Sequence, residues 1–256
     1  MSGNSVGNPI WHLDRERALF AGPLGHNASH RHSVAVYLAG LYGGFALRMG
    51  GSEWLDCRTA VIRRDSITSS TCVESRSPCS ISNPVLRTLN SWRLSCAIDV
   101  RVGGGLVGSA GEIALLRDVY EDRDSAAWIG HALDDLIGFA RREPCGIDPR
   151  ILRVVDALHE SYADIRRVIS AAESIGLSAS RFQHVFTQQV GVPFRRYRAW
   201  CRMRTAIREV VRGSNLTAAS HAAGFADQAH FSRQFRHTFG APATPSLAKV
   251  RAMAAP

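Results

Sequence analysis

Two matching segments in the last third of this chain constrain its fold more than any other feature. Each has a small residue four positions before a glycine, then a helix-capping residue, then two phenylalanines four residues apart. The copies are offset by 48 residues at the glycine and by 49 at the phenylalanines. The matched pairs are Ala172 and Ser220, Gly176 and Gly224, Ser178 and Asp227, Phe182 and Phe231, and Phe186 and Phe235. This pattern predicts a helix-turn-helix that occurs twice.

The second helix of each copy has an outer face suited to hydrogen bonding. The phenylalanines predict one buried face, which leaves the opposite face for solvent or a ligand. A single polar residue there is typical of any solvated helix, but two such faces in a repeated frame favour contact with DNA base edges. The predicted DNA-contacting residues are Ser180, Arg181, Gln183, His184 and Thr187 in the first copy, and Gln228, His230, Ser232, Arg233 and Arg236 in the second.

The remainder of this half also predicts helices. Asp148 followed by Pro149 is typical of a helix start. Helices are expected over residues 166–175 and 216–223, as the first helix of each copy, and over residues 193–212, as their connection. The connecting helix would span about 30 Å, close to the roughly 34 Å between successive major grooves. One chain could therefore place both second helices in adjacent grooves.

Charge divides the chain into two halves. Residues 1–147 carry 15 arginines and 15 acids, whereas residues 148–256 carry 15 arginines, one lysine and 7 acids. The whole net charge of +9 therefore lies in the second half, which indicates a polyanionic partner. The boundary coincides with the proline and glycine of residues 144–146. We therefore expect two domains, at residues 1–147 and 148–256.

Short apolar runs separated by glycine-rich turns dominate the first half. Such spacing predicts strands that form a small barrel or sandwich. The runs lie at residues 33–39, 45–49 and 59–62, with weaker ones at 94–102 and 113–119. Residues 125–141 then show the three- and four-residue spacing of an amphipathic helix. This helix either covers its own domain or packs against a second copy of the chain.

The helical half resembles the DNA-binding domain of AraC/XylS-type transcription regulators over residues 148–247. The resemblance rests on Leu177-Ser178 with Phe182, Phe186 and Gly191, on Arg202-Met203 with Ala206, and on residues 224–245, GFADQAHFSRQFRHTFGAPATP. It implies sequence-specific binding to double-stranded DNA, activation of transcription together with RNA polymerase, and a homodimer. One departure is Ala219-Ser220, where the family usually has a large aliphatic residue and then alanine.

The segment from Gly25 to His32 resembles the His-x-His entry to the cupin-like sensor barrel of many of these regulators. The implied fold is α+β, with a cupin-like β-barrel sensor domain before an all-α domain. The resemblance implies that His30, His32 and Tyr37 contact a small-molecule effector. Tyr37 stands where a metal-binding cupin has an acid, and residues 64–69 lack the usual histidine. We therefore expect no metal and no cofactor.

Other functional classes remain as alternatives. The first is a cupin-type metalloenzyme with an appended basic domain, and the second is a DNA-repair methyl acceptor with a reactive cysteine. A redox or metal sensor built from Cys72 and Cys79 is a third. The chain has no CxxC pair, catalytic triad pattern or phosphate-binding glycine motif, so we expect no enzyme.

The apolar runs bear on location. No run reaches the 18 or so apolar residues that a membrane helix needs, and the first residues lack a secretion signal pattern. We therefore expect a soluble, cytoplasmic protein with no membrane partner.

Overall fold

The computed structural model describes residues 8–13, 18–32, 34–71, 78–83, 96–103, 105–111, 113–140, 147–160, 168–190, 192–248 and 250. The strands are β1 (Ile10–Leu13), β2 (Ala18–Ala21), β3 (His26–Arg31), β4 (Ala35–Gly40), β5 (Phe45–Met49), β6 (Leu55–Cys57), β7 (Thr59–Ile62), β8 (Ile67–Thr71), β9 (Pro78–Asn83), β10 (Cys96–Val102) and β11 (Gly105–Gly111). The helices are α1 (Ile113–Glu121), α2 (Ile129–Ala140), α3 (Pro149–Glu160), α4 (Val168–Glu173), α5 (Ala179–Val190), α6 (Phe194–Val211), α7 (Leu216–Ala222), α8 (Gln228–Phe239) and α9 (Ala243–Leu247). The chain therefore has a strand-rich part, residues 8–140, and a helical part, residues 147–250.

The strand-rich part contains two antiparallel sheets. The larger has the order β1-β2-β9-β4-β7-β11-β10, and the smaller has the order β3-β8-β5-β6. Apolar residues of both sheets pack between them, among them Val36 and Ile62 from the larger and Leu47 from the smaller. The described pairings give two facing sheets and do not close into one barrel, so the structure does not show the expected cupin-like barrel.

The larger sheet is covered on both faces. Successive side chains of a strand point to opposite faces, so Val36 and Leu38 of β4 face the smaller sheet. Tyr37 and Ala39 instead join a second cluster that includes Leu116 of α1 and residues of α2. This double coverage explains why β7 is buried at all four positions rather than at alternate ones.

Two expectations for the end of this part were wrong. Residues 113–119 form the start of helix α1, not a strand, because Ile113, Leu116 and Tyr120 recur at helical spacing and are buried together. The single helix expected over residues 125–141 is divided into a 3₁₀ turn at Ser125–Ala127 and helix α2. Between them the Trp128 indole donates to the Asp122 carboxylate at 2.7 Å. Residues 144–146, the expected linker, lie outside the described residues.

The helical part confirms the repeat. Helices α4 and α5 form the first module, and helices α7 and α8 form the second. The two turns have the same geometry, because Gly176 and Gly224 have φ of +69° and +70°. The next residue's N–H donates to the carbonyl five positions back at 2.9 Å in both copies, from Leu177 to Ala172 and from Phe225 to Ser220. This is a glycine-dependent way to end a helix.

In the helical part, the observed helix bounds agree closely with the expected ones wherever the residues are described. Asp148 accepts the Arg150 N–H at 2.8 Å and begins α3, as an N-cap does. Helix α7 matches its expected range of residues 216–223 to within one residue, and α6 lies within residues 193–212. The described helix α4, Val168–Glu173, lies within the expected residues 166–175. Residues 161–167 and Gly191 lie outside the described residues.

Helix α6 connects the modules and contributes to both of their cores. Phe194 and Tyr197 pack in the first module's core with Phe182 and Phe186. Six residues further along, Met203 and then Ile207 pack in the second module's core. The helix has 18 residues, which corresponds to about 27 Å. The separation of the two modules is therefore set by one buried helix.

The second module also packs on the strand-rich part. Trp11 of β1 and Phe20 of β2 belong to the same buried cluster as Phe235 of α8. The Trp11 indole donates to the Ser246 carbonyl at 3.1 Å. The rings of Trp11 and Phe239 lie 5.5 Å apart. The two parts are thus joined by a shared apolar core.

Two polar contacts reinforce this junction. The Ala28 N–H of β3 donates to the Gly240 carbonyl, just after α8, at 3.1 Å. Asp65, in the turn between β7 and β8, forms an ion pair with Arg196 of α6. Each contact ties the strand-rich part to an element that positions a module.

Gly240 allows a direct test of the junction. Gly240 and Gly176 have nearly equal φ, +72° and +69°, so alanine costs about 1–2 kcal/mol of backbone strain at either position. An alanine Cβ at 240 would also lie 2.8 Å from the Ala28 carbonyl oxygen and collide with the His30 ring, whereas nothing lies within 4 Å at 176. We expect Gly240→Ala to lower the free energy of unfolding more than Gly176→Ala in denaturant titrations. Equal losses would contradict the tight contact at Gly240.

Candidate DNA-binding interface

The outer face of α5 is open to solvent. Phe182 and Phe186 are fully buried, and the polar positions between them point away from the core. Ser178 begins the helix by accepting the Arg181 N–H at 3.3 Å, as the sequence predicts for a cap. Of the predicted contact residues, Ser180, Arg181, Gln183 and His184 are exposed and Thr187 is half-buried. The structure thus brings these five residues onto one solvent-facing surface.

Helix α8 presents a similar face, but side chains of its first turn contact other residues of the same module. Asp227 caps the helix by accepting the His230 N–H at 2.6 Å. The Gln228 side-chain oxygen accepts from the Thr217 hydroxyl at 2.9 Å, and the His230 ring meets the Phe225 ring edge to face. Gln228, His230 and Ser232 are half-buried, whereas Arg233 and Arg236 are exposed. The two arginines are therefore the most accessible groups on this face.

Several arginines of the helical part make contacts within the protein. Arg204 of α6 is only 2% exposed and donates to Nδ1 of His159 at 3.2 Å. The same histidine forms a hydrogen bond with the Tyr197 hydroxyl at 2.6 Å. Arg202 lies over the Phe225 ring at 4.1 Å, a cation–π contact between α6 and the second module's turn.

The net charge counts every arginine alike, so the sequence analysis missed these roles. The burial of Arg204 could have been predicted from its position in the sequence. It lies four residues after Trp200 and three before Ile207, so it is on the same apolar face of α6. The exposed arginines of the modules and α6 are Arg181, Arg195, Arg196, Arg212, Arg233 and Arg236. Arg196 is paired with Asp65, so fewer groups are available for phosphate than the net charge indicates.

His30 and His32 lie at the junction of the two parts. Their ring centroids are 4.5 Å apart, and both residues line a cavity of about 50 Å³. The other lining residues come from the sheets and from the second module and its surroundings: Trp11, Phe20, Leu24, Asn27, Val34, Val36, Leu38, Thr68, Ser70, Trp200, Phe235, Thr238, Phe239, Ala241 and Ser246. The cavity is therefore formed between the strand-rich and helical parts.

Tyr37 does not share this cavity. Its neighbours Val36 and Leu38 line the cavity, but alternation along β4 turns Tyr37 toward α1 and α2, where it is fully buried. The structure thus separates Tyr37 from the two histidines with which it was grouped. Asn27 and Trp200 were missed because the pocket joins residues far apart in sequence.

Burial keeps the two histidines neutral. Desolvation lowers the pKa of His30, although the hydrogen bond from Nδ1 to the Ala28 carbonyl raises it in part and His237 lowers it further. Desolvation holds the pKa of His32 well below its usual value, and His30 adds to this effect. His32 forms a hydrogen bond with the Thr68 hydroxyl at 2.6 Å. No aspartate, glutamate, lysine or arginine is among the described residues of the lining.

The described residues offer little support for the enzyme alternatives. No group of three or more His, Cys, Asp or Glu side chains in the described ranges could hold a metal ion. Burial raises the pKa of the Cys201 thiol to about 12, so it is not a reactive thiolate at neutral pH. Cys72 and the side chain of Cys79 lie outside the described residues. None of the helices described has the length and hydropathy of a membrane span.

Solved structures show which fold the chain resembles. The structure of ToxT from Vibrio cholerae strain SCE256 with a bound unsaturated fatty acid is 14% identical, with a TM-score of 0.57, over 93% of this chain and 97% of that chain. ToxT from Vibrio cholerae O395 is 12% identical, with a TM-score of 0.55, over 93% and 99%. These similarities show a shared two-part fold, β-rich and then helical.

A family model matches the chain within its helical part. A regulator with an AraC-type DNA-binding domain from Chromobacterium violaceum is 21% identical over 41% of this chain and 93% of that chain, with a TM-score of 0.38. No curated protein matches the chain. A family model described as a helix-turn-helix domain matches residues 171–246, which include both modules. The chain therefore carries a helix-turn-helix domain of the AraC type, as its sequence predicts.

Proposed function

We propose that this regulator reads two adjacent major grooves of double-stranded DNA, one with α5 and one with α8. The observation that supports this most directly is the repeated geometry of the two modules. Both turns have the same glycine conformation, both recognition helices have a side-chain cap, and both present a polar outer face. The contact residues proposed are the ten predicted from the sequence, with Arg233 and Arg236 the most accessible on α8.

Helix α6 supports simultaneous contact by both modules. Its residues are buried in both cores, so the modules cannot separate without exposing apolar surface. Its length of about 27 Å is comparable with the roughly 34 Å between successive major grooves on one face of a duplex. The recognition helices need not lie exactly above the ends of α6. The distance between them can therefore exceed the length of α6 and match the groove spacing.

The proposal divides the chain into a sensor domain at residues 1–147 and a DNA-binding domain at residues 148–256. The sensor domain would control DNA binding by responding to a small-molecule effector. Two observations support this: the cavity between the two parts, and the fatty acid bound to ToxT, whose fold is similar. His30 and His32 belong to this effector site, and Tyr37 supports the sheet behind it.

The proposal also includes activation of transcription through RNA polymerase, and action as a homodimer. These follow from the resemblance to AraC/XylS-type regulators. The described start of α2 packs Ile129 and Leu133 against the protein's own sheet. A dimer would therefore use other surfaces than that part of α2.

Arg233 tests the assignment of base contacts. An arginine that contacts a base edge contributes both affinity and sequence preference. We expect Arg233→Ala to weaken binding to the preferred site by about 1–3 kcal/mol and to relax the preference at one base pair. The measurement is selection from a randomised DNA pool followed by titration of the selected site. Arg150→Ala is the control, because Arg150 is exposed on α3, is paired with Asp148 and is not one of the ten predicted contact residues. An unchanged preference in Arg233→Ala would refute the assignment.

Arg236 tests the electrostatic contribution. Binding constants fall with salt at a slope of about −0.9 per neutralised phosphate. If Arg236 contacts phosphate, Arg236→Ala should weaken binding to all sequences alike and make the slope shallower by about 0.9. Titrations of one duplex at several salt concentrations measure this. A wild-type affinity that does not change between low and physiological salt would contradict phosphate contact altogether.

Footprinting tests the two-groove arrangement. The full chain should protect two short elements about 10 base pairs apart for each bound monomer. The elements should differ in sequence, because the two recognition faces differ: Gln183 and His184 on one, Gln228 and Arg233 on the other. Hydroxyl-radical footprinting on a selected site resolves this spacing. Protection of a single groove, or of one palindromic element only, would rule out reading by both modules.

A further inference from the structure

Two buried polar atoms at the cavity lack partners. The Trp200 indole Nε1 and the Asn27 side-chain oxygen have no hydrogen-bond partner among the described residues. Trp200 is 4% exposed and Asn27 is 8% exposed, and both residues line the cavity. A buried donor or acceptor without a partner destabilises a protein, so such atoms are normally satisfied by water or a ligand. The residues that carry this donor and this acceptor thus line the same cavity.

These two atoms belong to opposite sides of the junction. Asn27 is on β3 of the smaller sheet, and Trp200 is on α6 between the two modules. Most of the remaining lining is apolar, with aromatic rings from both parts, including Phe20, Phe235 and Phe239. A mainly apolar pocket with a few polar groups is the usual form of a small-molecule site.

The charge of the lining limits the ligand. The described lining contains no cationic side chain, and burial lowers the pKa of His30 and His32, so both are neutral at pH 7. A carboxylate or an ammonium group would lose its hydration here without gaining an opposite charge. A wholly apolar molecule would leave the Trp200 and Asn27 atoms unsatisfied. A neutral molecule with one polar group avoids both costs.

We propose that the cavity binds a small, neutral, largely apolar molecule whose polar group, a hydroxyl or an equivalent, accepts from Trp200 Nε1 and donates to Asn27. This inference rests on the proposed effector control and names the chemical class of the effector. The cavity volume of about 50 Å³ is several times the roughly 10–15 Å³ that one ordered water needs. It therefore has room for more than a single bridging water.

Such a ligand would act on the junction itself. By contacting Asn27 and Trp200 it would join β3 to α6 and favour the packed arrangement of the two parts. Ala28, next to Asn27, already holds Gly240 at the end of α8. The ligand would thus stabilise the attachment of the second module to the strand-rich part.

Three matched probes test the ligand class. p-Cresol, toluene and 4-methylbenzoate share a methylated ring and differ in carrying a hydroxyl, no polar group or a carboxylate. We expect p-cresol to bind the full chain about tenfold more tightly than toluene, the effect of about one well-made hydrogen bond. 4-Methylbenzoate should not bind at pH 7.5. Calorimetry or ligand-detected NMR measures each affinity.

Trp200→Phe tests the site, because it removes the indole donor and keeps an aromatic ring. Because one of the two proposed hydrogen bonds is lost, it should bring the affinity for p-cresol closer to that for toluene and leave the affinity for toluene unaffected. Trp54→Phe is the matched control, because Trp54 is 43% exposed and is not part of the lining. Asn27→Leu removes the acceptor from the other side and should have the same effect, which provides a second variant should Trp200→Phe fold poorly.

Several outcomes would overturn the inference. The first is no binding of p-cresol at millimolar concentration, which would mean that the cavity holds only water. The second is equal affinity for p-cresol and toluene. The third is tighter binding of 4-methylbenzoate than of either. DNA binding by the same protein without any probe is measured in parallel. Normal DNA binding with any of these outcomes rejects the ligand class alone, whereas absent DNA binding rejects the proposed function.

Discussion

The arrangement of this protein depends on one apolar stripe along helix α6. Phe194 and Tyr197 complete the first module's core, and Met203 and Ile207 complete the second module's core. A flexible linker would leave the relative position of α5 and α8 free, and under the proposed function DNA binding would then have to offset the entropy cost of ordering them. Because the connection is a helix buried at both ends, that order is established on folding.

The second module differs from the first in how its core is closed. The first module's cluster contains only residues of the helical part, whereas the second includes Trp11 and Phe20 from β1 and β2. Folding of the second module is therefore coupled to the strand-rich part, and the first is not coupled in this way. Ala219 and Ser220 are fully buried in this module, and the Ser220 hydroxyl donates to the Leu216 carbonyl at 2.6 Å. The departure from the family pattern thus leaves no unsatisfied hydroxyl.

The helix-turn-helix repeat could be predicted because its signals are local. A glycine at positive φ, a cap and two phenylalanines four residues apart act within about ten residues of each other. The strand-rich part was predicted less well. Residues 113–119 were assigned to a strand because helix α1 has only nine residues, too few for its helical periodicity to stand out. The cavity could not be predicted, since its lining residues, Asn27 and Trp200 among them, come together only when the strand-rich and helical parts pack.

Helix α8 connects the cavity with the surface that we propose contacts DNA. Its last turns line the cavity through Phe235 and Phe239, while Gln228 and Arg233 lie on its outer face toward the first turns. The helix has 12 residues, about 18 Å, so the cavity lining and this outer face lie on one short secondary-structure element. Under the proposed function, a shift of α8 at the cavity would tilt or displace the face that contacts DNA. By thermodynamic reciprocity, DNA that favours one position of α8 would then change ligand affinity by the same factor as the ligand changes DNA affinity.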